Sequence, residues 1–274
     1  MIKDIIVNLS ANATKDFAVS VASTFQAHLA GISFRYEPIV LPVTDMGAMV
    51  PVDYIEGQRA ENEQRAKGAK GSFDESVRRA GLSSKSRIID AELAEAPGIF
   101  ARIARPFDLS IVGQAGQNER MVDQLIIEAA LFDSGRPVLV VPYIQKAALT
   151  LNRVMVCWDG SRSAARAVAD SLPLLAQAKN VDVVTIVGEK GKSDEITGAD
   201  AAEHLARHEL KVELRRIPVG QIDVADTLLS LAADTSADFI VMGGYGHSRL
   251  REFVLGGATR GILASMTVPT LLSH

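Results

Sequence analysis

Val241-Met-Gly-Gly-Tyr-Gly-His-Ser-Arg-Leu-Arg-Glu-Phe-Val-Leu-Gly-Gly-Ala-Thr-Arg260 is the stretch that decides how this chain is read. It grows out of an apolar run, Asp238-Phe-Ile-Val-Met242, that stops at Gly243 and Gly244 as a buried parallel strand does on leaving its sheet. Two residues separate Gly243 from Gly246, and Gly256 follows after nine more. Gly257 and Ala258 then open an apolar-periodic segment, read as a helix, that ends before Pro269. Strand, glycine-rich turn and helix N-terminus together make an anion site, because glycines let backbone N–H groups converge on a phosphate and the first helical turn offers unpaired donors. Glycines also serve a loop that merely turns from strand to helix. The phosphate reading is favoured because the spacing comes with the strand before it and the helix after it.

Upstream, strands and helices alternate. Ile5 to Leu9 reads as a strand, Ala13 to Leu29 as an amphipathic helix, and Gly31 to Tyr36 as a second strand. Positions 37–52, with three prolines, form an irregular excursion, and Asp53 to Ala80 reads as a long polar helix with points of interruption at Gly68 and Gly71. Strands at 86–90, 108–112 and 137–141 and helices at 97–105 and 121–133 complete a unit covering 1–142. After a short mixed segment the alternation restarts at Arg153, with strands at 154–158, 181–187, 211–217 and 238–242 and helices at 163–175, 198–208 and 224–233. The second unit covers 153–274. The expected class is α/β: two doubly wound, parallel, five-stranded sheets, with ligands at the carboxyl ends of the strands where the order reverses.

The chain has 274 residues, 47% of them hydrophobic, enough for two cores. A formal charge of −4 gives no global attraction to nucleic acid or anionic membrane. No apolar run is long enough for a transmembrane helix. A single cysteine excludes an intrachain disulfide, and the N-terminus lacks the basic and apolar regions of a signal peptide, so the expected compartment is the cytoplasm. Five scattered histidines with one cysteine give no metal-ligand pattern, and no nucleophile and base stand at a catalytic spacing.

The spacing Gly243-x2-Gly246-x9-Gly256, followed by a helix and by Val268-Pro-Thr-Leu-Leu272, resembles the nucleotide-binding signature of the universal stress proteins. The resemblance covers nearly the whole chain as a tandem pair of domains. It implies the strand order 3-2-1-4-5 in each, an adenine nucleotide alpha hydrolase-like fold, and ATP as ligand. It also implies pairing of the two domains through their last strands, and it admits a homodimer of the whole chain. The departure is Gly257, where ATP-binding members usually have Ser or Thr; Thr259 is the candidate replacement hydroxyl.

Laid on the second half, the first keeps the scaffold and loses the chemistry. Asp159 answers to Ser10, and the third glycine of the signature falls on Ile126, so nucleotide is expected only in the second half. There the resemblance gives Asp159 to the ribose or to magnesium carried by the nucleotide, and the backbone of Ile186 and Val187 to adenine, with Cys157 and Trp158 flanking the adenine slot. A carboxylate suits either role of Asp159, but Asp159 also fits a helix N-cap, and Ser161 fits it better. His247, Ser248 and Arg249 stand in the loop as phosphate contacts, with Gly257, Ala258 and Thr259 in the first turn of the helix. The expectation is a stress-response regulatory protein acting as an ATP-responsive switch. A nucleotide-free dimeric scaffold and a slow magnesium-dependent ATP hydrolase are the alternatives.

Overall fold

The computed structural model describes residues 1–38, 51–115, 120–188, 198–220, 222–244 and 257–274. The elements of the first half are β1 (Asp4–Asn8), α1 (Asn12–Phe25), β2 (His28–Tyr36), α2 (Val52–Arg79), β3 (Ser84–Ala91), α3 (Ala96–Ala104), β4 (Leu109–Gly113), α4 (Arg120–Asp133) and β5 (Val138–Val141). The second half repeats them as β6 (Val154–Cys157), α5 (Arg162–Leu175), β7 (Val181–Val187), α6 (Ala199–Arg207), β8 (Val212–Pro218), α7 (Val224–Asp234), β9 (Phe239–Gly243), α8 (Gly257–Ser265) and β10 (Thr270–Ser273). The 37–52 excursion lies for the most part outside the described residues, as does the centre of the loop after β4.

Two expected details are corrected. The first helix ends at Phe25, because Gln26 turns into the left-handed region at φ 50° and its N–H returns to the carbonyls of Ala22 and Ser23. Leu29, apolar in either periodicity, belongs to β2. The long polar helix runs unbroken through Gly68 and Gly71, which face open space. A glycine there costs about 1 kcal/mol relative to alanine. The burial of Ala66, Phe73 and Val77, with ion pairs such as Glu63–Lys67 at 2.7 Å and Lys70–Asp74 at 2.6 Å, holds the helix through them.

The strand order is β3-β2-β1-β4-β5-β10-β9-β6-β7-β8, so each half reads 3-2-1-4-5 in its own count and the two sheets are continuous. The pairs within each half are parallel, whereas β5 and β10 run antiparallel, with Leu139 opposite Leu271. Alternation sorts the core into two layers. Leu139 and Leu271 face α1, α2, α5 and α6, among Phe17, Phe73, Val168 and Leu205. Val138, Val140 and Leu272 face α3, α4, α7 and α8, among Phe100, Ile126, Leu228 and Ile262. No described helix is long and apolar enough to cross a membrane.

Each half reaches into the other. Gln114, just past β4, is buried; its Nε2 donates to the Leu263 carbonyl at 2.9 Å and to that of Ala264 at 3.3 Å, at the end of α8. Its Oε1 accepts from the Tyr143 N–H at 3.2 Å. In the counterpart position, Gly244 lies against Leu131 of α4, where a Cβ would come within 2.7 Å of that side chain. Gln114→Ala strips partners from the last carbonyls of α8 and from a backbone N–H, and the expected loss of stability is about 2 kcal/mol. Urea unfolding of the whole chain measures it; an unchanged midpoint would show that water replaces these bonds.

Candidate functional site

β6 lies between β9 and β7, with Cys157 level with Met242 on one side and Val184 on the other. After β6 the chain passes into α5 on one face, and after β9 into α8 on the opposite face. The carboxyl ends of β6 and β9 therefore flank the point of reversal at which open α/β sheets take ligands. Trp158 N–H donates to the Val184 carbonyl at 2.8 Å, extending the ladder by one residue. The chain then turns through Gly160 at φ 72°, and the Asp159 Oδ1 accepts from the Ser161 N–H at 3.0 Å. Ser161 caps α5, its Oγ accepting from the Ala164 N–H at 3.1 Å, as its residue type suggests. Asp159, half-buried, shapes the turn that leads to this cap.

Ile186 and Val187 end β7, both half-buried, and the Val187 carbonyl accepts from the Val219 N–H at 2.9 Å. Burial, and then the Asp159 charge, push the Cys157 thiol up to about 12, which favours its protonated form near neutrality. At the start of α8, Gly257 is exposed, with open space around it among the described residues, Ala258 is half-buried and Thr259 buried. No described neighbour therefore requires a glycine at 257. Gly246, His247, Ser248, Arg249 and Gly256 lie outside the described residues.

Gly243 has a packing role of its own. A Cβ there would stand 2.5 Å from the Ala164 backbone nitrogen and 2.7 Å from the Ser163 carbonyl carbon. The end of β9 thus abuts the start of α5. Register fixes the equivalent residue of the first half, since Ile5 pairs with Leu109 as Val154 pairs with Phe239. That residue is Gly113, whose Cβ would stand 2.7 Å from the Thr14 Oγ1 and 3.4 Å from the Ser10 Oγ. The connections that follow differ. Positions 114–119 join β4 to α4, whereas 244–256 join β9 to α8, and Ile126 is a fully buried core residue of α4.

The sequence reading missed a cleft of about 520 Å3 in the first half, between the start of α1 and the middle of α2, where Lys15 and Ser72 meet. A signal was present: Lys15 stands one helical turn before Ala18 and two before Ala22, on the apolar stripe of α1.

The sequence profile of the universal stress protein family matches residues 150–274. This half of the chain is thus similar to the universal stress protein family. A curated universal stress protein from Synechocystis sp. is 28% identical over 173 residues, covering 60% of this chain and 57% of the relative, so the likeness spans little more than half of that protein. The whole chain matches the fold of a universal stress protein from Archaeoglobus fulgidus, with TM-score 0.71 and 13% identity over 98% of this chain and 95% of that one. A second universal stress protein structure, from Pseudomonas aeruginosa, gives TM-score 0.63 and 15% identity, with 99% and 93% covered.

Two outcomes check this local geometry. Native Cys157 should resist iodoacetamide at pH 8 and react once the chain is unfolded, as mass spectrometry reads; rapid alkylation of the folded protein would contradict a thiol held protonated. Gly243→Ala should destabilise by on the order of 3 kcal/mol and Gly113→Ala by about 1 kcal/mol, because backbone atoms block the first Cβ and a rotatable hydroxyl the second. Equal losses in denaturant titration would show that α5 shifts as easily as the Thr14 side chain.

Proposed function

We propose that this chain is a cytoplasmic regulatory protein whose second half holds one ATP, occupancy altering a surface read by partners. The observation that carries the proposal is the run of residues between two described ends: β9 delivers Gly243, α8 begins at Gly257, and the family match covers both. The described part of the site fits such a ligand. Asp159 brings a half-buried carboxylate to the end of β6, and at the start of α8 no described neighbour stands within 4 Å of a Cβ at Gly257. In this reading the Asp159 carboxylate accepts from a ribose hydroxyl or ligates the magnesium carried by the nucleotide. Ile186 and Val187 meet adenine through backbone groups, with Cys157 and Trp158 flanking it. Gly246, His247, Ser248, Arg249, Gly256 and the first turn of α8, Gly257 to Thr259, receive the phosphates.

The halves divide the work in this proposal: 153–274 binds and 1–142 supports. Ser10 in place of Asp159, and a core isoleucine in place of the third glycine, support it. Packing favours a second reading, a nucleotide-free scaffold, because Gly243 is required by α5 whether or not a ligand is bound and Gly257 supplies no hydroxyl.

Denaturing the purified protein and analysing the released small molecules should give ATP, at no more than about one per chain. Gly246→Val and Gly256→Val should each abolish calorimetric ATP binding with unchanged circular dichroism, since a β-branched side chain resists positive φ and fills the space of approach to phosphate. Wild-type affinity in both variants would leave the scaffold as the better reading. Bound ATP that persists unaltered for hours would separate a switch from a slow hydrolase.

A further inference from the structure

α6 carries a pair of side chains that neither the crevice beside β6 nor its loop uses. His204-Leu-Ala-Arg-His208 sets two histidines four residues apart, on one helix face and a single turn from each other. The His208 N–H donates to the Leu205 carbonyl at 3.0 Å, so the helical path holds through the second histidine. Leu205 is fully buried and keeps α6 on the sheet, while both histidines are exposed. The ring centroids lie 4.8 Å apart, with the planes crossing at 75°.

The five histidines of the chain form no pattern of three or four ligands, yet this spacing is the one by which a helix offers two imidazoles to a single ion. Two imidazoles that each place a nitrogen about 2.1 Å from one ion, at an angle between square and tetrahedral, have ring centres about 4.5–5.2 Å apart. The observed separation falls inside that range. Because both rings are exposed, turning one nitrogen of each toward a shared ion disturbs no core. Two further features favour a cation at this place. His208 is the C-cap of α6, where the last carbonyls turn their negative ends outward. The adjoining Arg207 is partnered, its Nη2 standing 2.8 Å from the Glu203 Oε2.

Among the described residues no group of three His, Cys, Asp or Glu side chains is arranged for a metal ion. The pair therefore makes an open site of two protein ligands, with water completing the coordination, and not a closed structural one. We propose that His204 and His208 chelate one divalent transition-metal ion of the Ni2+, Cu2+ and Zn2+ class on the surface of the second half. Imidazole nitrogen selects these ions over Mg2+ and Ca2+, which take oxygen ligands. The bound ion fixes the last turn of α6 and its passage into β8, the free edge strand of this half.

The experiment is calorimetry of the full chain with NiCl2, chosen because Ni2+, unlike Cu2+, does not oxidise the Cys157 thiol. Wild type should take up one Ni2+ at a site that His204→Gln and His208→Gln each weaken about tenfold or more, since the second imidazole no longer binds intramolecularly. Glutamine is a good helix former, so circular dichroism should not change in either variant. His208→Gln combined with Ala206→His keeps the number of imidazoles but sets them two residues apart, where they do not face each other, and binding should stay weak. Absence of Ni2+ uptake by wild type, uptake that neither glutamine weakens, or full recovery with Ala206→His overturns the proposal.

Discussion

The antiparallel pairing of β5 with β10 is the contact on which the rest of the molecule depends. Each is a four-residue strand buried along its length, Val138-Leu-Val-Val141 and Thr270-Leu-Leu-Ser273. Left alone, either would be an unpaired apolar edge at the end of its half. Paired, they make one ten-stranded sheet whose two faces are each covered by helices of both halves. The pairing also sets direction. Because the halves run antiparallel, the carboxyl ends of their strands open toward opposite margins of the sheet, so a cleft of the first half and a crevice of the second cannot share a ligand. The free edges left over are β3 and β8, rich in charge, as suits strands that must not recruit another chain.

The same pairing places the carboxyl end of one half against the last helix of the other. Gln114 holds the end of α8, and Leu131 of α4 presses on Gly244, the residue with which the glycine loop begins. The two contacts occupy equivalent places and differ in kind. One is a set of directed hydrogen bonds from a buried amide, the other an apolar side chain against a glycine. A side chain added at Gly244 would therefore meet α4 of the first half directly.

The alternation of strands and helices, the repeat, and the end-to-end match of Ile5 with Val154 were legible because short apolar runs bounded by glycine and proline leave few alternatives. Boundaries were less so. Leu29 satisfies a helical stripe and a buried strand equally well, and only the left-handed turn at Gln26 decides between them. The continuity of α2 through two glycines depends on tertiary packing of Phe73 and Val77, which no local pattern reveals. The Lys15 cleft was hidden for a related reason. Its walls come from α1 and from a helix whose composition reads simply as a solvated face, and the partner of Lys15 is a serine 57 positions away.

The glycines of the second-half signature do not carry equal information about function. Gly243 stands where the α5 backbone comes within 2.5 Å of a Cβ, so a chain with this sheet and this helix needs glycine there even without a ligand, and the first half keeps Gly113 in that place with only 114–119 to follow before α4. Gly257, by contrast, meets nothing within 4 Å among the described residues, and no described neighbour requires it. The connection length is the better discriminator: the first half passes from β4 to α4 through 114–119, whereas the second spends 244–256 between the equivalent elements. A fold that needs only to turn from strand to helix does so in the shorter span. The longer one, ending at the N-terminus of α8, is the part of this molecule that scaffold requirements leave unexplained.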